Sequence, residues 1–260
     1  MPTYETIRLE RDGTTTRVTL CRPDIRNAFN EVMIRELRES FAGIEKDNGC
    51  RCVVLSGEGK SFCAGADLHW MGRVVNYGYE ENYQDSLALA KLMREIYDCR
   101  KPVIGRINGA AIGGGTGLVA VCDIVLAAED AVFSFSEVKI GLVPACISPF
   151  VLKRVGERYG REYFLTGKRL NASEALACGL CNRVVPLSEL DLLVGEYVEA
   201  LSTSGPQAVA TAKRMVRDVA DMSLEDAGPY TAKMITELRL SDEGQEGMKA
   251  FLDRRTPSWR

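Results

Sequence analysis

Two glycine-rich segments, Ser61-Phe62-Cys63-Ala64-Gly65-Ala66-Asp67-Leu68 and Asn108-Gly109-Ala110-Ala111-Ile112-Gly113-Gly114-Gly115, each follow a run of apolar β-formers and precede helical periodicity. A strand–glycine–helix unit that recurs along a chain points to an α/β architecture, because parallel strands must be joined by crossover helices. The flanking runs agree. Cys52–Leu55, Val103–Ile107 and Ile124–Ala127 are short and apolar throughout, as strands covered on both faces are. Ahead of them, Tyr4–Leu9 and Arg17–Leu20 predict a hairpin turning at Asp12-Gly13. A helix then starts at an Asn30 cap, with Val32, Met33, Ile34, Leu37, Phe41 and Ile44 on one side. Further helices are expected from Asp67 and over Tyr83–Tyr97, and from the second glycine loop to Val121; Ala131–Phe135 reads as one more short strand.

Beyond Pro149 the pattern becomes helical, over Phe150–Val155, Arg158–Leu165, Ala172–Ala177, Leu187–Leu201, Pro206–Val219, Leu224–Leu238 and Glu243–Leu252. Only Asn182–Val185 breaks it with a strand. The expected organisation is an α/β core over residues 1–195 and a helical region over 196–260. Amphipathic helices with no core of their own must pack on the body, as a lid, or on a neighbouring subunit, so an oligomer is expected.

Composition narrows the function. With 33 Lys+Arg against 36 Asp+Glu, the chain carries no field that would collect a polyanion, so nucleic acid is not the expected partner. The single histidine, His69, rules out a multi-histidine metal site, and a Ser/His/Asp triad would have to use it. The nine cysteines are scattered without paired CxxC spacing, which suggests reduced, buried thiols in a cytoplasmic protein without a metal. Charges from Glu5 onward do not suit a secretory signal, and the uncharged Ile107–Cys122 stretch is too short and glycine-rich for a membrane span.

Backbone N–H groups at a strand-to-helix glycine loop are free to point at a ligand, and two such loops brought together would aim two donors at one oxygen. The same loops could equally be packing devices; neither fits a phosphate-binding pattern. A third segment, Phe133-Ser134-Phe135-Ser136-Glu137-Val138-Lys139-Ile140-Gly141-Leu142-Val143-Pro144, sets Glu137 among apolar residues. Burial there would raise its pKa to a value useful for proton transfer; pairing with Lys139 on an exposed turn would not. Asp67 reads as a helix cap, Asp123 as a structural hydrogen-bond acceptor, and His69 as a structural or pocket-wall residue.

These segments, in this order, resemble the crotonase (enoyl-CoA hydratase/isomerase) superfamily, from Arg22-Pro23…Arg26-Asn27-Ala28-Phe29 through both glycine loops, Cys122-Asp123-Ile124 and the Glu137 segment. The resemblance continues through Leu165-Thr166-Gly167 to Arg255-Thr256-Pro257. Within that superfamily, Cys63–Met71, Ser136–Leu142 and Ile147–Phe150 are most similar to bacterial methylglutaconyl-CoA hydratases. The resemblance implies a spiral of ββα turns with a C-terminal helical region, assembled as a homotrimer or hexamer. It implies an acyl-CoA thioester substrate, coenzyme A being part of that substrate and no other cofactor being needed. It assigns the two enolate-stabilising amides to Ala66 and Gly114 and the acid–base carboxylate to Glu137. Arg26, Ala28, Ala64, Gly113, Trp70 and Leu142 would border the ligand, and Lys249, Arg254 and Arg255 could reach phosphates from a neighbouring subunit.

One departure matters. The second glutamate of the hydratases would fall on Gly117, so a partner acid would have to come from elsewhere, such as Glu80 or Glu81. Isomerases of the superfamily manage with one glutamate at the position of Glu137. Hydration of a 2-enoyl-CoA is nevertheless the expected reaction, because the Ser136–Pro149 segment resembles the branched-chain hydratases. Isomerisation is the alternative, and RNA binding, known among relatives of methylglutaconyl-CoA hydratase, is disfavoured by the charge balance.

Overall fold

Strands β1 (Ile7–Asp12) and β2 (Thr15–Leu20) pair antiparallel with Asp12 opposite Thr15. That register leaves Gly13 and Thr14 as the two-residue turn, and Gly13 takes the positive φ of 57° that such turns demand. The computed structural model describes residues 3–260; Met1 and Pro2, at the start of the expected core, lie outside it. Helix α1 (Glu31–Lys46) begins where the sequence places it, the Asn30 side chain accepting the Met33 N–H. Its buried stripe holds Met33, Ile34, Leu37, Phe41 and Ile44.

The chain then winds in repeated turns. β3 (Cys52–Gly57), β4 (Ser61–Cys63), α2 (Leu68–Val74) and α3 (Tyr79–Asp98) form one. β5 (Val103–Ile107), β6 (Ala110–Ile112) and α4 (Gly114–Val121) form the next, followed by β7 (Ile124–Ala128), β8 (Val132–Ser134) and α5 (Ser148–Thr166). β9 (Arg169–Asn171), α6 (Ala172–Ala177), β10 (Arg183–Val185) and α7 (Leu187–Ser202) close the body. Each of these three turns puts one strand into each of two sheets, a six-stranded one ordered β1-β2-β3-β5-β7-β10 and a four-stranded one ordered β4-β6-β8-β9. This is the expected ββα spiral.

The main core lies between the sheets and the crossover helices, where Phe62, Phe133, Phe135, Met33, Leu37 and Met93 are fully buried. A smaller cluster on the far face of the large sheet packs Val54, Ile104, Leu126 and Ala128 against Leu190 and Val194 of α7. The division expected at 195/196 therefore runs through a helix that belongs to the core. The tail starts instead with α8 (Pro206–Val219), α9 (Leu224–Leu240) and α10 (Asp242–Leu252). α8 is held to the body by polar links: Lys213 Nζ lies 2.7 Å from Asp123 Oδ2, and Arg217 Nη1 2.7 Å from Asp98 Oδ1.

The glycine loops are not entirely loops. β4 and β6 lie inside them and pair with each other in parallel, Ser61 opposite Ala110 and Cys63 opposite Ala111. Their glycine-rich surroundings read as loop in the sequence; pairing with each other makes them strands. α3 starts at Tyr79, a turn before the expected Tyr83. The break expected between Phe150–Val155 and Arg158–Leu165 is a kink within α5 at Gly156, whose φ is 74°. Among the described residues no helix is long and apolar enough to cross a membrane.

Candidate functional site

The first loop is pinned to the segment before α1. Phe29 and Ala66 form a parallel bridge: Phe29 N donates to Gly65 O at 2.8 Å and Asp67 N to Phe29 O at 3.0 Å. In such a bridge the middle residue's own N–H points away from the partner strand. The Ala66 N–H accordingly takes no acceptor among the described residues. The second loop turns at Gly113, whose φ of 54° and ψ of −124° only glycine adopts readily. Gly114 is the first residue of α4, and its N–H, one of the donors that a helix start leaves over, is also without a partner among the described residues.

The two loops interlock. A Cβ on Gly115 would lie 2.3 Å from Cys63 O, and one on Gly114 would lie 2.3 Å from the Phe29 ring. Both unspent amides thus belong to one contiguous surface. Glu137 joins it from a 3-10 turn, Ser136–Ile140, after β8: its Oε1 lies 3.0 Å from the Cβ position of Gly113. Its other oxygen, Oε2, is buried without a hydrogen-bond partner, and no ion pair with Lys139 forms among the described residues. Burial raises its carboxyl above the ordinary carboxylate range, partly opposed by its own backbone N–H. A half-buried, unneutralised carboxyl beside the loop of Gly113 and Gly114 is equipped to take up and return protons.

Gly117, where the resemblance puts the hydratases' second glutamate, has no room for a side chain. A Cβ there would lie 2.2 Å from Ile147 Cγ2 and 3.4 Å from Met93 Cε. The glutamate's place is filled by packed hydrocarbon. Glu80 and Glu81 do not replace it: both are exposed at the start of α3, Glu80 accepting from Gln84 and Glu81 from the Gly78 N–H. Asp85 on α3 is committed as well: its Oδ1 accepts the Trp70 indole N–H at 3.2 Å.

The remaining expected residues divide. Arg26 is exposed, forms no ion pair among the described residues, and takes a left-handed φ of 56° while its carbonyl accepts the Ala64 N–H. Ala64 is half-buried on the same surface. Ala28 is buried, with its carbonyl taken by Arg22 Nη1 at 2.6 Å. Trp70 is buried, its ring 6.1 Å from that of Phe29. Leu142 is tied to the site through its backbone, donating to Glu137 O, but its side chain is 56% exposed.

Asp67 caps α2, accepting from the His69 and Trp70 amides, and Asp123 accepts the Val103 N–H at 2.7 Å, as expected. The His69 side chain is exposed, and only its backbone N–H is used, so it is not a satisfied structural histidine. Arg255 forms a two-pronged pair with Glu246, with both contacts at 2.7 Å. Sequence reasoning missed the roles of Ile147 and Asp85, whose relevance comes only from which neighbour they meet. Arg22 carried a signal, since Arg22-Pro23 opens the resembling motifs, but not its role.

A spiral of ββα turns carrying two interlocked strand-to-helix glycine loops beside one half-buried glutamate defines a crotonase-like α/β fold. The chain belongs, more narrowly, to the enoyl-CoA hydratase/isomerase family, whose model matches residues 10–260. A Thermus thermophilus protein provisionally named an enoyl-CoA hydratase is 36% identical over 90% of this chain and 93% of its own length. A crystal structure of an enoyl-CoA hydratase from Shewanella pealeana superposes with a TM-score of 0.95 at 36% identity, covering 98% of this chain and 96% of that one. One from Legionella pneumophila, provisionally titled enoyl-CoA hydratase/isomerase (crotonase), gives 0.94 at 39% identity, covering 99% and 100%.

Proposed function

We propose that this protein adds water across the double bond of a 2-enoyl-CoA thioester. The observation that carries the reading is the buried, unpartnered Oε2 of Glu137 beside the loop that holds Gly114. The thioester oxygen receives the Ala66 and Gly114 N–H groups, which stabilise the enolate more than the neutral ground state. Glu137 takes a proton from water as the oxygen adds at Cβ, then returns a proton to Cα to quench the enolate. One carboxylate serves both steps, since Ile147 occupies the second one's place.

The hydratase names of the relatives support hydration. The single carboxylate supports a second reading, isomerisation, in which Glu137 removes a proton at one carbon and returns it two carbons away. Methylglutaconyl-CoA is the acyl group favoured by the Cys63–Met71, Ser136–Leu142 and Ile147–Phe150 motifs. Arg26, Ala64, Gly113 and Trp70 would border the ligand, and assembly as a trimer or hexamer would bring tail residues of a neighbouring copy toward it.

Incubation of wild-type and Glu137→Gln protein with crotonyl-CoA, methylglutaconyl-CoA and a 3-enoyl-CoA tests these readings. Hydration that falls by a factor of about 10² to 10⁴ in the variant supports the first. Undiminished hydration removes Glu137 from the mechanism. Conversion of the 3-enoyl thioester without hydration of the 2-enoyl product selects the isomerase.

A further inference from the structure

The amide of Ala66 is the end of a short relay of hydrogen-bonded peptide planes that begins at a cation. Arg22 Nη1 donates to Ala28 O at 2.6 Å. A trans peptide places its N–H opposite its C=O, so the Phe29 N–H of that same unit points the other way, and it donates to Gly65 O at 2.8 Å. The Gly65–Ala66 unit repeats the geometry, and its N–H is the unspent Ala66 donor. Two peptide units are therefore aligned head to tail between a guanidinium and the oxygen site. Hydrogen bonds in such a chain polarise one another, and a cation at its acceptor end makes the terminal N–H a stronger donor.

The other prong of the same guanidinium fixes the residue after Ala66. Arg22 Nη2 lies 2.7 Å from Asp67 Oδ2, while Asp67 Oδ1 accepts the His69 N–H at 2.7 Å. Burial would raise the Asp67 carboxyl, but the hydrogen bonds from Arg22, His69 and Trp70 outweigh it and hold it below the ordinary range. The carboxylate is almost fully enclosed and stays charged. The backbone that carries Arg22 is placed as well: the Arg22 backbone N–H donates to Asn27 Oδ1, and Asn27 Nδ2 donates to Glu58 O and Ser61 O. Neither Arg22 nor Asp67 has a role in the proton transfers.

We infer that Arg22, braced by Asp67, is a positioning residue for this reaction: it orients and polarises the Ala66 N–H through the Ala28–Phe29 and Gly65–Ala66 peptides. The inference rests on the reading of Ala66 as an oxyanion donor. Its effect belongs to the carbonyl of the bound thioester and not to the affinity for coenzyme A.

The test uses 4-(dimethylamino)cinnamoyl-CoA, an enoyl-CoA chromophore whose absorption moves to longer wavelength when its carbonyl accepts strong hydrogen bonds. Wild-type protein, Arg22→Lys, Arg22→Gln and Asp67→Asn are compared for probe affinity, red shift, thermal midpoint and crotonyl-CoA kinetics. Arg22→Gln is expected to bind the probe within about threefold of wild type but to lose at least half of the shift. Its kcat is expected to fall about 10- to 100-fold with KM little changed, less than the factor of about 10² to 10³ for deleting an oxyanion donor outright.

Arg22→Lys keeps the charge but not the fork, and should fall between Arg22→Gln and wild type. It is also the variant that retains the fold if Gln does not. Asp67→Asn should lose part of the shift at unchanged affinity. A full wild-type shift and kcat in Arg22→Gln, or in Arg22→Lys should Gln not fold, overturns the inference, whatever happens to the thermal midpoint. Binding without any shift in the wild type overturns the oxyanion reading itself, which is a different result.

Discussion

Glu137 bears an energetic cost that its proposed role in proton transfer would explain. Its folded-state pKa is raised by burial, so the protonated form is favoured by the fold and the ionised form is disfavoured. A group of this sign contributes stability below its unfolded pKa, and that contribution is lost as the pH rises through the raised folded value. Glu137→Gln, which mimics the protonated form, is therefore expected to melt at or above the wild-type temperature at pH 7. The two curves should converge in acid. Melting curves across pH 4 to 8 check this, and a wild-type advantage at pH 7 would contradict it. Activity should run in the opposite direction, with an acid limb whose midpoint lies above the ordinary carboxylate pKa.

Cys63 borders the first glycine loop, yet the fold seals it from solvent. It is fully buried, with its thiol pushed up to about 12 by burial. Mass-spectrometric mapping after native iodoacetamide treatment should find Cys63 unmodified while the half-buried Cys21 and Cys146 react first. The sequence placed Cys63 beside the loop correctly, but only the packing shows which way its sulfur faces.

At the scale of elements, the close approach of α4 to the start of α5 decides the site's inventory of acids. Gly117 on α4 meets Ile147 at a distance no side chain could share, so glutamate cannot simply be restored. Gly117→Glu should destabilise the protein by about 3 kcal/mol or more, from overpacking plus a buried unpaired carboxylate. Adding Ile147→Ala should recover part of that, and denaturant melts of the single and double variants measure the coupling. Additive effects would show that Ile147 is not what excludes the side chain. Elements of this length were legible where their own residues carried the signal: β5, α6 and α8 run as expected, because apolar periodicity, the Asn171 cap and Pro206 act locally. β4 and β6 were not, because their glycine-rich surroundings read as loop, nor was β9, whose Arg169-Leu170-Asn171 carries no apolar run.

At the scale of the whole molecule, the tail leaves apolar surface uncovered. Val216, Leu224, Leu240, Phe251 and Leu252 are each at least 70% exposed on α8, α9 and α10, far more than the burial a single copy gives these helices. A trimer or pair of trimers is the proposed cover. Light scattering on the eluting protein should give three or six times the chain mass, and Phe251→Asp should shift it toward the monomer while leaving the body folded. A monomeric wild type would refute this.

What the sequence determined alone was the order of most elements, the superfamily resemblance and the candidate residues of the site, all properties that reside in local pattern. Glycine at Gly113 and Gly114, an Asn30 cap and a lone glutamate in an apolar segment can be read without knowing what lies across from them. The tertiary structure alone decided that Glu137 stays unpaired, that Ile147 fills the place of a second acid, that Cys63 is sealed, and that Arg22 stands at the head of a relay ending at Ala66. Each of these depends on which distant residue comes within about 3 Å, and the range of hydrogen bonds and atomic contacts is too short for sequence spacing to foretell.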